Sequence, residues 1–109
     1  MKANEICDKA MERFGLHQQM LKLIEELGEL TRAASRWLNE SIDEYDIDIE
    51  ENLCEEIADV EIVLDQVKSQ LSHDMLSYQR QRKLRRLQEI LEKKDDESGF
   101  IADPDSSAV

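Results

Sequence analysis

The sequence predicts an all-α fold, a bundle of four helices, and three observations carry that prediction. Apolar residues recur at three- and four-residue spacing through most of the 109 residues. Helix breakers are scarce, one Pro and three Gly, and all but Gly28 fall between or beyond the periodic stretches. Charged residues make up 37% of the chain and aromatic residues only 5%, which suits amphipathic helices better than strands.

The elements follow in order. Residues 2 to 14 form a first helix, with Ala3, Ile6, Cys7, Ala10 and Phe14 on one face. Gly15 marks a break, and a second helix runs from about Leu16 to Leu38. A polar connection spans Glu40 to Ile49. Its acids invite a calcium-loop reading, which fails. A loop starting at Asp46 places Glu51 where the turn needs Gly and Ile57 where the bidentate Glu belongs. Tyr45 in this connection anchors the loop or lies over a ligand. The third helix runs from about Glu50 to Leu71, and Ser72 or Asp74 caps a fourth that reaches about Lys94. One helical domain over residues 1–94 is expected, followed at 95–109 by an acidic tail whose Gly, Pro and Ser content predicts disorder.

One eight-residue phrase occurs twice at an offset of thirty, first as Leu23-Ile24-Glu25-Glu26-Leu27-Gly28-Glu29-Leu30 and then as Leu53-Cys54-Glu55-Glu56-Ile57-Ala58-Asp59-Val60. A helix turns about 100° per residue. Measured from Leu23, the residues Leu27, Leu30, Ala34 and Trp37 fall within about 40°, while Glu26 falls at about 300°, between Ala33 and Trp37. Glu29 lies a further ~60° round. In the second copy Val63 and Val67 flank Glu56 in the same way, with Asp59 beyond it. A single Glu-Glu pair reads most simply as solvated surface. Two copies in one inward register place carboxylates where charge needs a partner, and a hard divalent cation with oxygen ligands meets that need.

These residues resemble a known family. Glu25-Glu26-x-x-Glu29, then 26 residues, then Glu56-x-x-Asp59 is similar to the EExxE…ExxD signature of the all-α nucleoside triphosphate pyrophosphohydrolases, which include the MazG proteins and the dimeric dUTPases. The resemblance runs from about Gly15 to Leu91 and is nearest to the short, single-domain MazG-like proteins. It implies a MazG-like helical bundle that works as a homodimer or homotetramer. It also implies Mg²⁺-dependent hydrolysis of a (d)NTP to (d)NMP and pyrophosphate, with Mn²⁺ a possible substitute. By position, Glu26, Glu29, Glu56 and Asp59 become the metal ligands, and Glu25 and Glu55 become supporting acids or proton acceptors.

Four further residues are candidates for substrate contact. On the fourth helix, Arg80 and Lys83 lie inside the arc of Leu76, Leu84, Leu87 and Leu91, where they are placed to reach a phosphate chain. The plain alternative for this basic stretch is a solvated face that balances the acids elsewhere. Gln19 points inward as a core-edge amide or a base contact, and Trp37 on the same arc packs in the core or stacks on a base.

Composition excludes several other classes. A net charge of −12 argues against binding of nucleic acid polymers. No run is long enough to span a membrane, and no secretion signal is visible, so a cytoplasmic protein is expected. Cys7 and Cys54 lack metal-site spacing and read as reduced, partly buried thiols. A di-iron bundle needs His at the positions of Glu29 and Asp59, and His17 and His73 are isolated. No Gly-rich phosphate loop is present. The competing non-enzymatic expectation is an acidic helical adaptor, or a nucleotide-binding regulatory protein, whose faces bind a partner.

Overall fold

The computed structural model describes residues 1–41 and 43–93. Three helices follow one another: α1 (Ala3–Glu40), α2 (Ile47–Lys68) and α3 (His73–Glu92), with no strand among the described residues. The all-α prediction holds, but four separate helices are not seen. The expected first and second helices are both present inside the span of α1 and meet at a kink at Gly15, whose dihedrals are non-helical at φ 83 and ψ 160. Those dihedrals belong to a region that is essentially glycine's alone, so the break is placed by sequence. The expected tail at 95–109 lies outside the described residues.

The chain divides into two compact units, Met1–Gln70 and a second beginning at Leu71, whose described part is α3 and its immediate flanks. In the first unit, α1 and α2 pack as an antiparallel pair. The buried or half-buried stripe on α1 is Gln19, Leu23, Glu26, Leu30, Ala33 and Trp37. On α2 it is Ile49, Leu53, Glu56, Val60, Val63 and Val67. Both stripes advance by alternate steps of four and three, the a/d seam of a coiled coil. The seam lies rotated from the sequence expectation. Leu27 is 45% exposed and Ala34 is also exposed, whereas Gln19, Glu26 and Ala33 occupy the buried line. A stripe counted from the largest apolar residues was pulled toward a second apolar face, described below.

The core is thin. Met11, Ala33, Ile49, Val60, Val63 and Val67 are its buried apolar members. Each fully buried aliphatic side chain of Val or Ile size contributes about 1.5–3 kcal/mol. Polar contacts fix the ends. Gln19 Nε2 donates to Gln66 Oε1 at 2.5 Å across the seam. Asp46 caps α2 by accepting from the Asp48 amide at 2.9 Å, and its own amide donates to Ser41 Oγ at 3.3 Å. The Tyr45 hydroxyl donates to the Glu50 carboxylate, the loop-anchor role.

In the second unit, Ser72 caps α3 by accepting from the Met75 amide at 3.1 Å. Leu76, Lys83, Arg86, Leu87 and Ile90 are half-buried, while Met75, Tyr78, Leu84 and Leu91 are exposed. Here too the expected centre, Leu84, lies off the more sheltered line.

Candidate metal centre

The repeated phrase explains why acids meet. Two copies of one phrase on antiparallel helices run past each other in opposite directions, so the register marked by Gln19 and Gln66 sets Glu26 beside Asp59 and Glu29 beside Glu56. Glu26 and Glu56 occupy seam positions. Glu29 and Asp59 lie about 80° to one side of their seams, and antiparallel packing turns those two sides to the same flank. One carboxylate oxygen from each of Glu26, Glu29, Glu56 and Asp59 lies within 4.8 Å of all the others. The sequence therefore identified all four members of this cluster, and the structure brings them together.

Burial sharpens the electrostatics. Glu26 is only 5% exposed, and the other three are half-buried. Glu26 Oε1 accepts an ion pair from Lys22 Nζ at 3.0 Å, one helical turn earlier. Glu26 Oε2 and Glu56 Oε2 are buried without a hydrogen-bond partner. Burial pushes the Glu56 carboxyl above the ordinary carboxylate range, and the charges of Glu29 and Asp59 push it further, with a hydrogen bond to Glu29 and the charge of Glu26 adding to them. Two carboxyl groups share a hydrogen bond only while one is protonated, so that contact belongs to the protonated form. Orphaned carboxylate oxygens and mutual repulsion are what an oxygen-ligated cation relieves. The donor set is all carboxylate, with neither thiolate nor imidazole, so it fits hard ions such as Mg²⁺ or Mn²⁺ better than soft ones.

The other predicted residues are placed as follows. Glu25 and Glu55, also members of the phrase, are exposed, with Glu25 Oε1 at 3.7 Å from Lys22 Nζ. Gln19 is buried in its bond to Gln66, the core-edge alternative. Trp37 is half-buried in the α1 stripe. Lys83 and Arg80 belong to the α3 unit, Lys83 half-buried and Arg80 exposed. Cys7 is half-buried and Cys54 exposed, both as free thiols. His17 and His73 are exposed.

Sequence reasoning missed Lys22. Its signal was a difference in charge directly ahead of the two copies. Lys22 precedes the first phrase, and Asn52 stands at the equivalent place before the second.

A second face lies opposite the acids. On α1, Leu16, Met20, Ile24, Leu27 and Leu38 are exposed along a line about 100° from the seam. On α2, Ile57 and Leu64 are exposed on the same flank. The helix pair is thus acidic on one side and apolar on the other.

Comparison with family models, with curated proteins and with solved structures finds no match to this chain. Fold and site define an all-α protein with a carboxylate cluster able to hold a metal ion.

Proposed function

We propose that this chain is a Mg²⁺-dependent nucleoside triphosphate pyrophosphohydrolase that converts a (d)NTP to (d)NMP and pyrophosphate. The observation that carries the proposal is the convergence of Glu26, Glu29, Glu56 and Asp59 within 4.8 Å, where Glu26 is almost wholly buried. Structural ion pairs do not require four acids to converge. The spacing of the same acids resembles the MazG-like signature, and the helical fold is compatible with it.

In the proposed mechanism Glu26, Glu29, Glu56 and Asp59 hold the ion. A divalent cation bound there supplies Lewis-acid activation of the phosphates and of the attacking water. Glu25 or Glu55, exposed at the rim of the cluster, accepts the proton of that water. The charge that develops on pyrophosphate as it leaves calls for cations, for which the Lys83 and Arg80 side chains are our candidates, and the Trp37 ring is our candidate for a base contact.

The exposed apolar flank supports a further part of the proposal, association as a homodimer or homotetramer. Contiguous apolar surface of this kind marks contact sites in soluble proteins. The same flank also favours a second reading, in which the chain is a non-enzymatic adaptor or a nucleotide-binding regulatory protein. No helix among the described residues is long and apolar enough to cross a membrane, and we place the protein in the cytoplasm.

Pyrophosphate release from a panel of dNTPs and NTPs, with Mg²⁺ or Mn²⁺ against a chelator control, separates the two readings. Metal-dependent release from at least one nucleotide supports the enzyme. No release from any of them leaves the adaptor.

A further inference from the structure

Building on the metal-site reading above, we infer that Lys22 is the counter-cation of the metal-free cluster and that a divalent ion displaces it from Glu26. A carboxylate as buried as Glu26, 5% exposed, holds its charge only with a partner. Lys22 Nζ is that partner at 3.0 Å, and it holds one oxygen. The other, Oε2, is buried and without a hydrogen-bond partner, so the lysine satisfies Glu26 only in part.

An ammonium and a metal ion on one carboxylate repel each other, so the two compete. Three features make Lys22 a displaceable occupant and not a fixed ligand. Its side chain is 45% exposed, so the ammonium reaches water without any backbone movement. Glu25 Oε1, on a side chain 58% exposed, lies 3.7 Å away and offers a resting place outside the cluster. The second copy of the phrase has Asn52 in place of a base, so no second lysine at the equivalent position holds the cluster. Lys22 therefore keeps the acids folded together before loading, and on loading its charge moves to the rim.

The test is Mn²⁺ binding to the full chain without nucleotide, followed by calorimetry or electron paramagnetic resonance at low salt. Lys22→Met removes the competitor and should tighten Mn²⁺ binding roughly two- to fivefold, the range of a partly exposed ion pair. Lys22→Arg keeps the charge and should stay near wild type. Lys22→Gln, which keeps a polar group at the position, should shift in the same direction as Lys22→Met and serves if that variant does not fold. Wild type that binds Mn²⁺ while Lys22→Met and Lys22→Gln bind equally or more weakly overturns the role of Lys22 and leaves the metal site standing. Wild type that binds no Mn²⁺ overturns the metal site and this inference with it.

Discussion

Gln19 and Gln66 form a buried amide pair across the α1–α2 seam, each 7% exposed. Gln19 occupies the same stripe as Glu26, two turns earlier, and Gln66 lies two turns after Asp59, so the pair fixes the register that sets Glu26 beside Asp59. A polar residue at one seam position costs stability and selects a single alignment. Gln66→Ala should lower stability by about 1–3 kcal/mol, because Gln19 is left buried without its acceptor. Replacing both by Leu should recover most of that loss and at the same time weaken Mn²⁺ binding, since nothing then enforces the register. Chemical denaturation and metal titration of the two variants check this. Mn²⁺ binding unchanged in the double variant would show that the apolar seam alone sets the alignment.

Two glycines on α1 should respond in opposite ways to the same change. A methyl group at Gly28 meets nothing within 4 Å, and Gly28 is helical. Gly28→Ala should stabilise by about 0.5–1 kcal/mol through helix propensity. A methyl group at Gly15 also finds open space, but the φ of 83 strains any side chain. Gly15→Ala should destabilise by about 1–3 kcal/mol. Thermal melts of the two variants measure the difference in sign.

The acidic site was more legible in sequence than the packing around it. A repeated phrase keeps its meaning whatever the exact helix rotation, so Glu26, Glu29, Glu56 and Asp59 could be selected without a precise seam. The seam itself was misjudged because α1 carries two apolar lines. Leu27 and Ile24 are as hydrophobic as Leu23 and Leu30, and periodicity cannot say which line meets α2. The buried line holds Gln19 and Glu26, which a count of hydrophobic residues scores against. Gly15 was recognised as a break because a glycine between two periodic stretches is legible without any packing, and its non-helical dihedrals are the kink between the two helical segments of α1. Lys22 escaped because its role depends on a partner that is buried only once the seam is known.

Glu56→Gln should reduce turnover of a responsive nucleotide by orders of magnitude while helical circular dichroism is retained. Glu61→Gln, exposed on the same helix, should be nearly silent. On α3, Lys83→Met should weaken triphosphate use more than Arg85→Met, because Lys83 is half-buried and Arg85 exposed. Initial rates with the four variants check both statements. Near-normal activity in Glu56→Gln removes that residue from the site, and a larger effect at Arg85 removes Lys83 from substrate contact.

The last prediction joins pH to metal. Burial raises the Glu56 carboxyl above its ordinary range, and the charges of Glu29 and Asp59 add to that. The folded state therefore binds this proton more tightly than the unfolded chain does. By linkage, the ionised group costs metal-free stability at neutral pH. That cost is relieved as pH falls through the raised folded value, and it is gone below the ordinary carboxylate range. Glu56→Gln should thus melt higher than wild type in chelator at neutral pH, and the gap should close on acidification toward the ordinary carboxylate range. Metal reverses the order, because Mg²⁺ or Mn²⁺ uses the ionised form. At one hundred times its dissociation constant a ligand contributes about 2.7 kcal/mol, a rise on the order of 10 °C for a domain of this size. Wild type should show that rise at neutral pH and lose it in acid, where protons compete for the same oxygens, while Glu56→Gln should show little at either. Melting curves in chelator and in excess Mn²⁺ across the acidic to neutral range measure all four cases. A wild type that melts identically with and without metal at neutral pH would leave Glu56 as a strained packing residue and the doubled phrase as a device for pairing helices.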